Sequence, residues 1–289
     1  MEFSYFGSLM VKSSVFLDGI RKPRYVRGLY NCNKKTRGVI ILAGGVSHRL
    51  FLNESPYPKG CLRIYGKALY QILLEKFSGR VAIMTSKMTY HHTKEWLQKH
   101  NYHHIDVFQQ TCDRRLLKRQ ISPGGNGSLF SSFRHSSLWN SKKWKNVDVF
   151  HVIPVDNPSA VLVHNDDVDV SILAVEKRHE REELGTILEK EGRRLCIREY
   201  SEMPFEGSEE WLLGYTGIFS CSKEFFDRSA RICLPWHFLQ RNGVRYKEQF
   251  LFDAFPTARS YRIFVEKRER IFTPIKYWAD VSRVYRMMG

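Results

Sequence analysis

Apolar positions along this chain fall into short blocks whose spacing switches between strand-like and helix-like. Gly38 to Ala43 is a compact, β-branched apolar run that stops at Gly44-Gly45, the pattern of a buried strand feeding a glycine loop. Leu69 to Phe77 carries apolar residues at helical spacing, and Arg80 to Thr85 reads as a second buried strand. Thr93 to His100 predicts a helix with Trp96 and Leu97 facing inward, and Ile105 to Phe108 a third strand. Leu129 to Leu138 predicts a helix that opens after a second glycine loop. Val147 to Val155 alternates into a strand ended by Asp156-Asn157-Pro158, and Val168 to Val175 is another strand. Strand, loop, helix and strand in this order predict an α/β fold: an open, mainly parallel sheet covered by helices on both faces. No internal repeat or low-complexity linker interrupts the pattern, and Leu234-Pro235-Trp236 marks a candidate boundary near residue 235.

Composition narrows the class. The 289 residues are 43% hydrophobic and 13% aromatic, which excludes disordered and collagen-like chains. No apolar run approaches the ~20 residues that span a bilayer, so no membrane partner is expected. Glu2 stands where a secretory leader would be basic, and Cys32, Cys61, Cys112, Cys196, Cys221 and Cys233 show no CxxC spacing. Both readings point to the cytoplasm. The net charge of +16 favours anionic partners without choosing among them. Residues 1–37 are the most basic stretch, with eight Lys and Arg against Glu2 and Asp18. They read as a solvated lead-in segment or as a phosphate or nucleic-acid arm, the latter without a supporting motif.

Ligands of such sheets bind at the carboxyl ends of strands, and three features fall there. The first is Leu42-Ala43-Gly44-Gly45-Val46-Ser47-His48-Arg49-Leu50, followed by Pro58-Lys59-Gly60. Glycine backbone there can approach phosphate oxygens, with Arg49 and Lys59 as neutralising cations; an ordinary strand-to-loop turn is the plainer reading. It is neither a Walker loop nor a GxGxxG fingerprint. The second is Ser122-Pro123-Gly124-Gly125-Asn126-Gly127-Ser128, which can press against a base or sugar, or merely cap the next helix through Asn126 or Ser128. The third is Asp156, placed to hold Mg²⁺ or simply to form a turn. His91, His92, His100, His103 and His104 read as a solvated helix rim, and Asp166-Asp167-Val168-Asp169 as the edge of a strand.

Taken in order, LAGG…R-L…PKG, then I-M-T-S…T-K-E, F-Q-Q, P-x-G-N-G, V-D-N, E-Y-S-E and a late P-x-K, the chain resembles the eukaryotic-type UDP-N-acetylhexosamine pyrophosphorylases of the UDP-sugar pyrophosphorylase family. The resemblance runs from about Gly38 to Lys276. It implies a glycosyltransferase-A-like (Rossmann-like) mixed sheet, and a nucleotidyltransferase-like catalytic domain over residues 38–289. It also implies a cytoplasmic uridylyltransferase that makes a UDP-sugar and pyrophosphate from UTP and a sugar 1-phosphate, with N-acetylglucosamine 1-phosphate favoured. By the resemblance, Ala43, Gly44 and Gly45 lie along the nucleotide, and Gln110 and Gly125 read the uracil. Asn126, Gly185, Glu199 and Tyr200 meet the sugar. Arg49, Lys59 and Lys276 face the phosphates, and Asp156 binds Mg²⁺.

The resemblance is incomplete in three places, one of them Gly124, where the family usually has Asp. The family's G-G-x-G-T-R-[LM]-G becomes Gly44-Gly45-Val46-Ser47-His48-Arg49-Leu50-Phe51, and its N-A-G-N segment is replaced by Gly214-Tyr215-Thr216-Gly217. The altered glycine loop opens a second reading, an impaired relative that binds a UDP-sugar or a protein partner, while the replaced N-A-G-N segment bears on which sugar is taken. Nucleic acid is the least favoured partner, and the oligomeric state is not readable from the sequence.

Overall fold

The computed structural model describes residues 20–21, 25–27, 35–45, 50, 57–111, 125–179, 182–200, 213–241 and 244–288. Arg49, Ser47, His48, Phe51, Gly124, Cys32, Cys112 and most of the basic segment 1–37 lie outside them. Strands β1 (Ile20–Arg21) and β2 (Val26–Arg27) precede β3 (Arg37–Ala43). A small hairpin of β4 (Arg63–Ile64) and β5 (Lys67–Ala68) leads into α1 (Leu69–Lys76), β6 (Arg80–Thr85), α2 (Tyr90–Lys99), β7 (Asp106–Gln109) and α3 (Leu129–His135). Then follow β8 (Val149–Pro154), β9 (Val170–Glu176), β10 (Thr186–Lys190), β11 (Arg194–Arg198), β12 (Leu213–Ser222) and α4 (Lys223–Ser229). The remainder is β13 (His237–Arg241), β14 (Val244–Glu248), β15 (Tyr261–Val265), α5 (Arg268–Ile271) and α6 (Trp278–Met288). No described helix is long and apolar enough to cross a membrane.

The main sheet runs β2-β15-β9-β12-β8-β3-β6-β7. Along this path only β12 runs against its neighbours, pairing antiparallel with β8 and β9; the other pairs are parallel. The mixed, mainly parallel sheet is therefore the one expected. Expected elements recur with shifted ends: α2 starts earlier, at Tyr90, α3 stops earlier, at His135, and β9 spans Val170–Glu176. Asp169, just before β9, accepts Arg228 at 2.7 Å and the Arg259 amide at 2.9 Å, so this acidic run does edge a strand.

Period-two alternation assigns each strand residue to a face. Ile40, Phe150, Val152 and Ile172 pack with Phe130 and Phe133 of α3 and Phe225 and Phe226 of α4. Val39, Ile41, Ile153 and Leu173 pack with Tyr70 and Leu73 of α1 and Leu97 of α2. The first face is aromatic: the Phe133 ring centroid lies 5.1 Å from both Phe108 and Trp144, edge to face, the arrangement favoured by ring quadrupoles. A third cluster joins Leu50, Leu62, Ile64 and Leu69 to Ile275, Val281 and Val284 at the carboxyl end of the chain.

This layout sets the site. The carboxyl ends of β3, β6, β7, β8 and β9 lie along one edge of the sheet, and the start of the opposed strand β12 lies at the same edge.

Candidate active site

At the end of β3, Gly44 lies against Gln110, the residue that follows β7. The Gln110 amide N–H donates to the Thr85 carbonyl at 2.8 Å, fixing the residue beyond the paired strand. Its side chain then reaches the main chain of Gly44, where a Cβ would stand 2.6 Å from Gln110 Oε1. Only glycine permits that approach. The turn after β6 supports the same spot, because Thr89 Oγ1 donates to the Ala43 carbonyl at 3.2 Å. Gly45 faces open space, and a Cβ placed there would meet nothing within 4 Å. The result is a flat main-chain floor with one buried amide beside it.

Across the loop that follows, Gly125 has φ +61°, a conformation that L side chains rarely adopt. The sequence allowed Asn126 or Ser128 to cap α3; neither does so. Ser128 Oγ donates to the Gly125 carbonyl at 3.0 Å, and Asn126 Oδ1 accepts the Leu251 amide at 3.0 Å. Gly127 N–H donates to the Gln249 carbonyl at 2.9 Å. The stretch after β14 thus holds the second glycine loop in place.

Lys59 and Asp156 meet directly. Lys59 Nζ lies 3.0 Å from Asp156 Oδ2, with side chains 19% and 23% exposed. Asp156 follows β8, and its carbonyl accepts the Ile275 amide at 2.9 Å. Asn157 completes the join: Nδ2 donates to the Ile271 carbonyl at 2.8 Å, and Oδ1 accepts the Thr273 amide at 3.0 Å. The segment carrying Lys276 is therefore stitched beside Asp156, although 114 or more residues separate the bonded pairs. The Lys276 ammonium itself turns toward Glu183, donating to its carbonyl at 2.9 Å, and stands 6.0 Å from the Tyr200 ring centroid. A cavity of about 400 Å³ opens beside Lys276, bordered by Arg178, Glu183, Arg268 and Arg283.

No group of three or more His, Cys, Asp or Glu among the described residues forms a metal cage. Asp156 offers a single carboxylate already facing an ammonium. That donor set does not suit a protein-caged ion. It does suit a hard divalent cation that takes most of its oxygens from phosphates and water.

The remaining predicted residues gather around Gly185. Its carbonyl accepts the Tyr215 amide at 2.9 Å, and a Cβ there would lie 4.0 Å from Glu199 Oε2. Sequence reasoning missed Lys177 in this neighbourhood. It is only 6% exposed, and its Nζ donates to Thr186 Oγ1 at 3.1 Å. The signal was available: Lys177 follows the buried strand β9 much as Asp156 follows β8.

No family model matches the chain. It is 28% identical to a protein of Encephalitozoon cuniculi named a probable UDP-N-acetylglucosamine pyrophosphorylase, across 86% of this chain and 83% of that relative. It is 26% identical to the human UDP-N-acetylhexosamine pyrophosphorylase-like protein 1, across 82% of this chain but 60% of the longer relative. In fold it is similar to the uridine diphosphate N-acetylglucosamine pyrophosphorylase from Trypanosoma brucei, crystallised in complex with an inhibitor. That match has a TM-score of 0.66 at 20% identity and covers 87% of this chain and 65% of the other. The likeness carried by the motifs thus extends to curated UDP-N-acetylhexosamine pyrophosphorylases in sequence and to a solved UDP-sugar pyrophosphorylase in fold.

Proposed function

We propose that this protein is an enzyme, a uridylyltransferase that joins UTP to a sugar 1-phosphate and releases pyrophosphate. N-acetylglucosamine 1-phosphate is the favoured acceptor. The observation that carries this reading is the meeting of Lys59 with Asp156 at one sheet edge, flanked by the Gly44–Gln110 contact and by Lys276 beside Tyr200.

In this reading Ala43, Gly44 and Gly45 give main-chain contact to the nucleotide. Gln110 and Gly125 read the uracil edge. Asn126, Gly185, Glu199 and Tyr200 hold the sugar, and Arg49, Lys59 and Lys276 face the phosphates. The acceptor's phosphate oxygen, already ionised, attacks the α-phosphorus of UTP in line. A new P–O bond forms as the bond to the β-phosphate oxygen breaks, and pyrophosphate carries away the negative charge. No general base is needed. The obstacle is repulsion between two anions, so positioning and cationic side chains carry the catalysis. Lys59 would leave Asp156 for the more highly charged polyphosphate. Asp156 would then hold Mg²⁺, which when bound neutralises charge on the triphosphate. Free thiols at Cys61, Cys196, Cys221 and Cys233 support a reducing, cytoplasmic setting for this activity.

Incubation with UTP, Mg²⁺ and a panel of sugar 1-phosphates should release pyrophosphate, most rapidly with N-acetylglucosamine 1-phosphate. No release with any sugar rejects turnover. The altered run Val46-Ser47-His48 favours one second reading, a binding protein for UDP-sugars without catalysis. Calorimetric binding of a UDP-sugar in the absence of turnover would select it.

A further inference from the structure

Lys177 is a lysine 6% exposed at the rim of a sheet where an apolar residue would be buried at less cost. Its surroundings show what it does. It follows β9 at the edge that carries Gln110 and Asp156. Its stem crosses Gly214 of β12, where a Cβ would approach Lys177 Cγ to 3.1 Å and Leu184 Cδ1 to 2.8 Å. The ammonium ends on Thr186 Oγ1 at 3.1 Å, and Thr186 is the register partner of Gly214. One side chain therefore ties β9 to β10 over a strand that lacks a side chain of its own at that point. Thr186 is the residue after Gly185. On the other side of Gly185, Lys276 holds the Glu183 carbonyl at 2.9 Å. Two lysines thus clamp the same short turn from Glu183 to Thr186, one at each end, with Glu199 and Tyr200 beside it.

We propose that Lys177 is a positioning residue for the sugar pocket: through Thr186 it fixes the Gly185 turn and so sets the affinity for the hexose part of the ligand. This rests on the functional reading above, in which that turn meets the sugar. The clamp predicts a selective defect. In that reading the nucleotide meets Gly44 and Gln110, which follow β3 and β7, three and five strands from β9 along the sheet, so affinity for UDP alone should be untouched.

The test is calorimetric titration of the full chain with UDP, UDP-glucose and UDP-N-acetylglucosamine, for wild type, Lys177→Met, Thr186→Val and the double variant. Losing one charge-assisted hydrogen bond should weaken UDP-sugar binding roughly tenfold while UDP binding stays within about twofold. Thr186→Val should give a defect of the same selectivity, and the double variant should be no worse than Lys177→Met, because both variants remove the Lys177–Thr186 bond. Thr186→Val also keeps the test alive if Lys177→Met fails to fold. Unchanged UDP-sugar affinity in folded Thr186→Val, or an equal loss for UDP and UDP-sugars, overturns the assignment. Wild-type protein that binds no UDP-sugar overturns the functional reading itself, a result separable from the other two.

Discussion

At the scale of single residues, the site depends on one close approach and one ion pair. Gln110 rests on Gly44 because no Cβ intervenes. Gly44→Ala should push the amide away and weaken UDP binding by about tenfold, the value of one or two hydrogen bonds, with little loss of stability because the displaced group is the end of a side chain. Calorimetry with UDP checks the first part and thermal melting the second. Gly44, Lys59 and Asp156 were legible as candidates because each stands just past a strand or in a motif whose residue types suit phosphate chemistry, whereas Gln110 came only with the resemblance. Asn126 was less legible. Its side-chain oxygen serves Leu251, a partner 125 positions away, and no local pattern foretells that bond. Lys177 escaped for a different reason: its place after a buried strand was visible, but only its burial separates it from an ordinary solvated lysine.

At the scale of elements, strands whose apolar residues dominate the segment were readable, and a strand broken repeatedly by glycine and hydroxyl residues was not. β3 announces itself by the run Val39-Ile40-Ile41-Leu42, β6 by the apolar run Val81 to Met84, and β8 by apolar residues on both sides of His151. β12 does not, because Gly214, Thr216, Gly217 and Ser220 break its pattern, yet it is the strand on which β8 and β9 both pair. Thr216 Oγ1 donates to the Leu173 carbonyl at 2.6 Å and Ser220 Oγ to the Val163 carbonyl at 2.5 Å, so its polar residues are satisfied within the core. Helix α3 is held in place by its rings. Phe133→Ala should cost about 3–5 kcal/mol, as large aromatic truncations in cores do. A urea titration should show a lowered midpoint, and an unshifted midpoint would mean that Phe108, Trp144 and Phe150 collapse to fill the gap.

At the scale of the whole molecule, stability carries a built-in dependence on acidity. His151 on β8 is 1% exposed. Burial, then His164 and Arg37, push its imidazole down to about 3. Its strand neighbours are Val39 and Ser220, and the His164 ring lies 6.0 Å away. His164 is itself lowered by burial, against the upward pull of Asp166. Since an unfolded histidine titrates at about 6.5, this ring contributes nothing against the fold above that pH. Below it the unfolded chain takes up a proton that the native state refuses, and stability falls by ~1.4 kcal/mol per pH unit for this group. Denaturation at pH 7.5 and pH 5 should show that loss, and His151→Val should reduce it. An unchanged loss would place the acid sensitivity elsewhere.

The indole of Trp278 donates to the Leu50 carbonyl at 2.6 Å, and Leu50 is the first described residue after the glycine loop that carries Arg49. Helix α6 therefore holds a natural fluorophore against the backbone of Leu50, the residue next to Arg49 in the chain. Titrating UTP should alter tryptophan emission in the native chain, and the signal should vanish in Trp278→Phe, giving an optical readout of occupancy that requires no label.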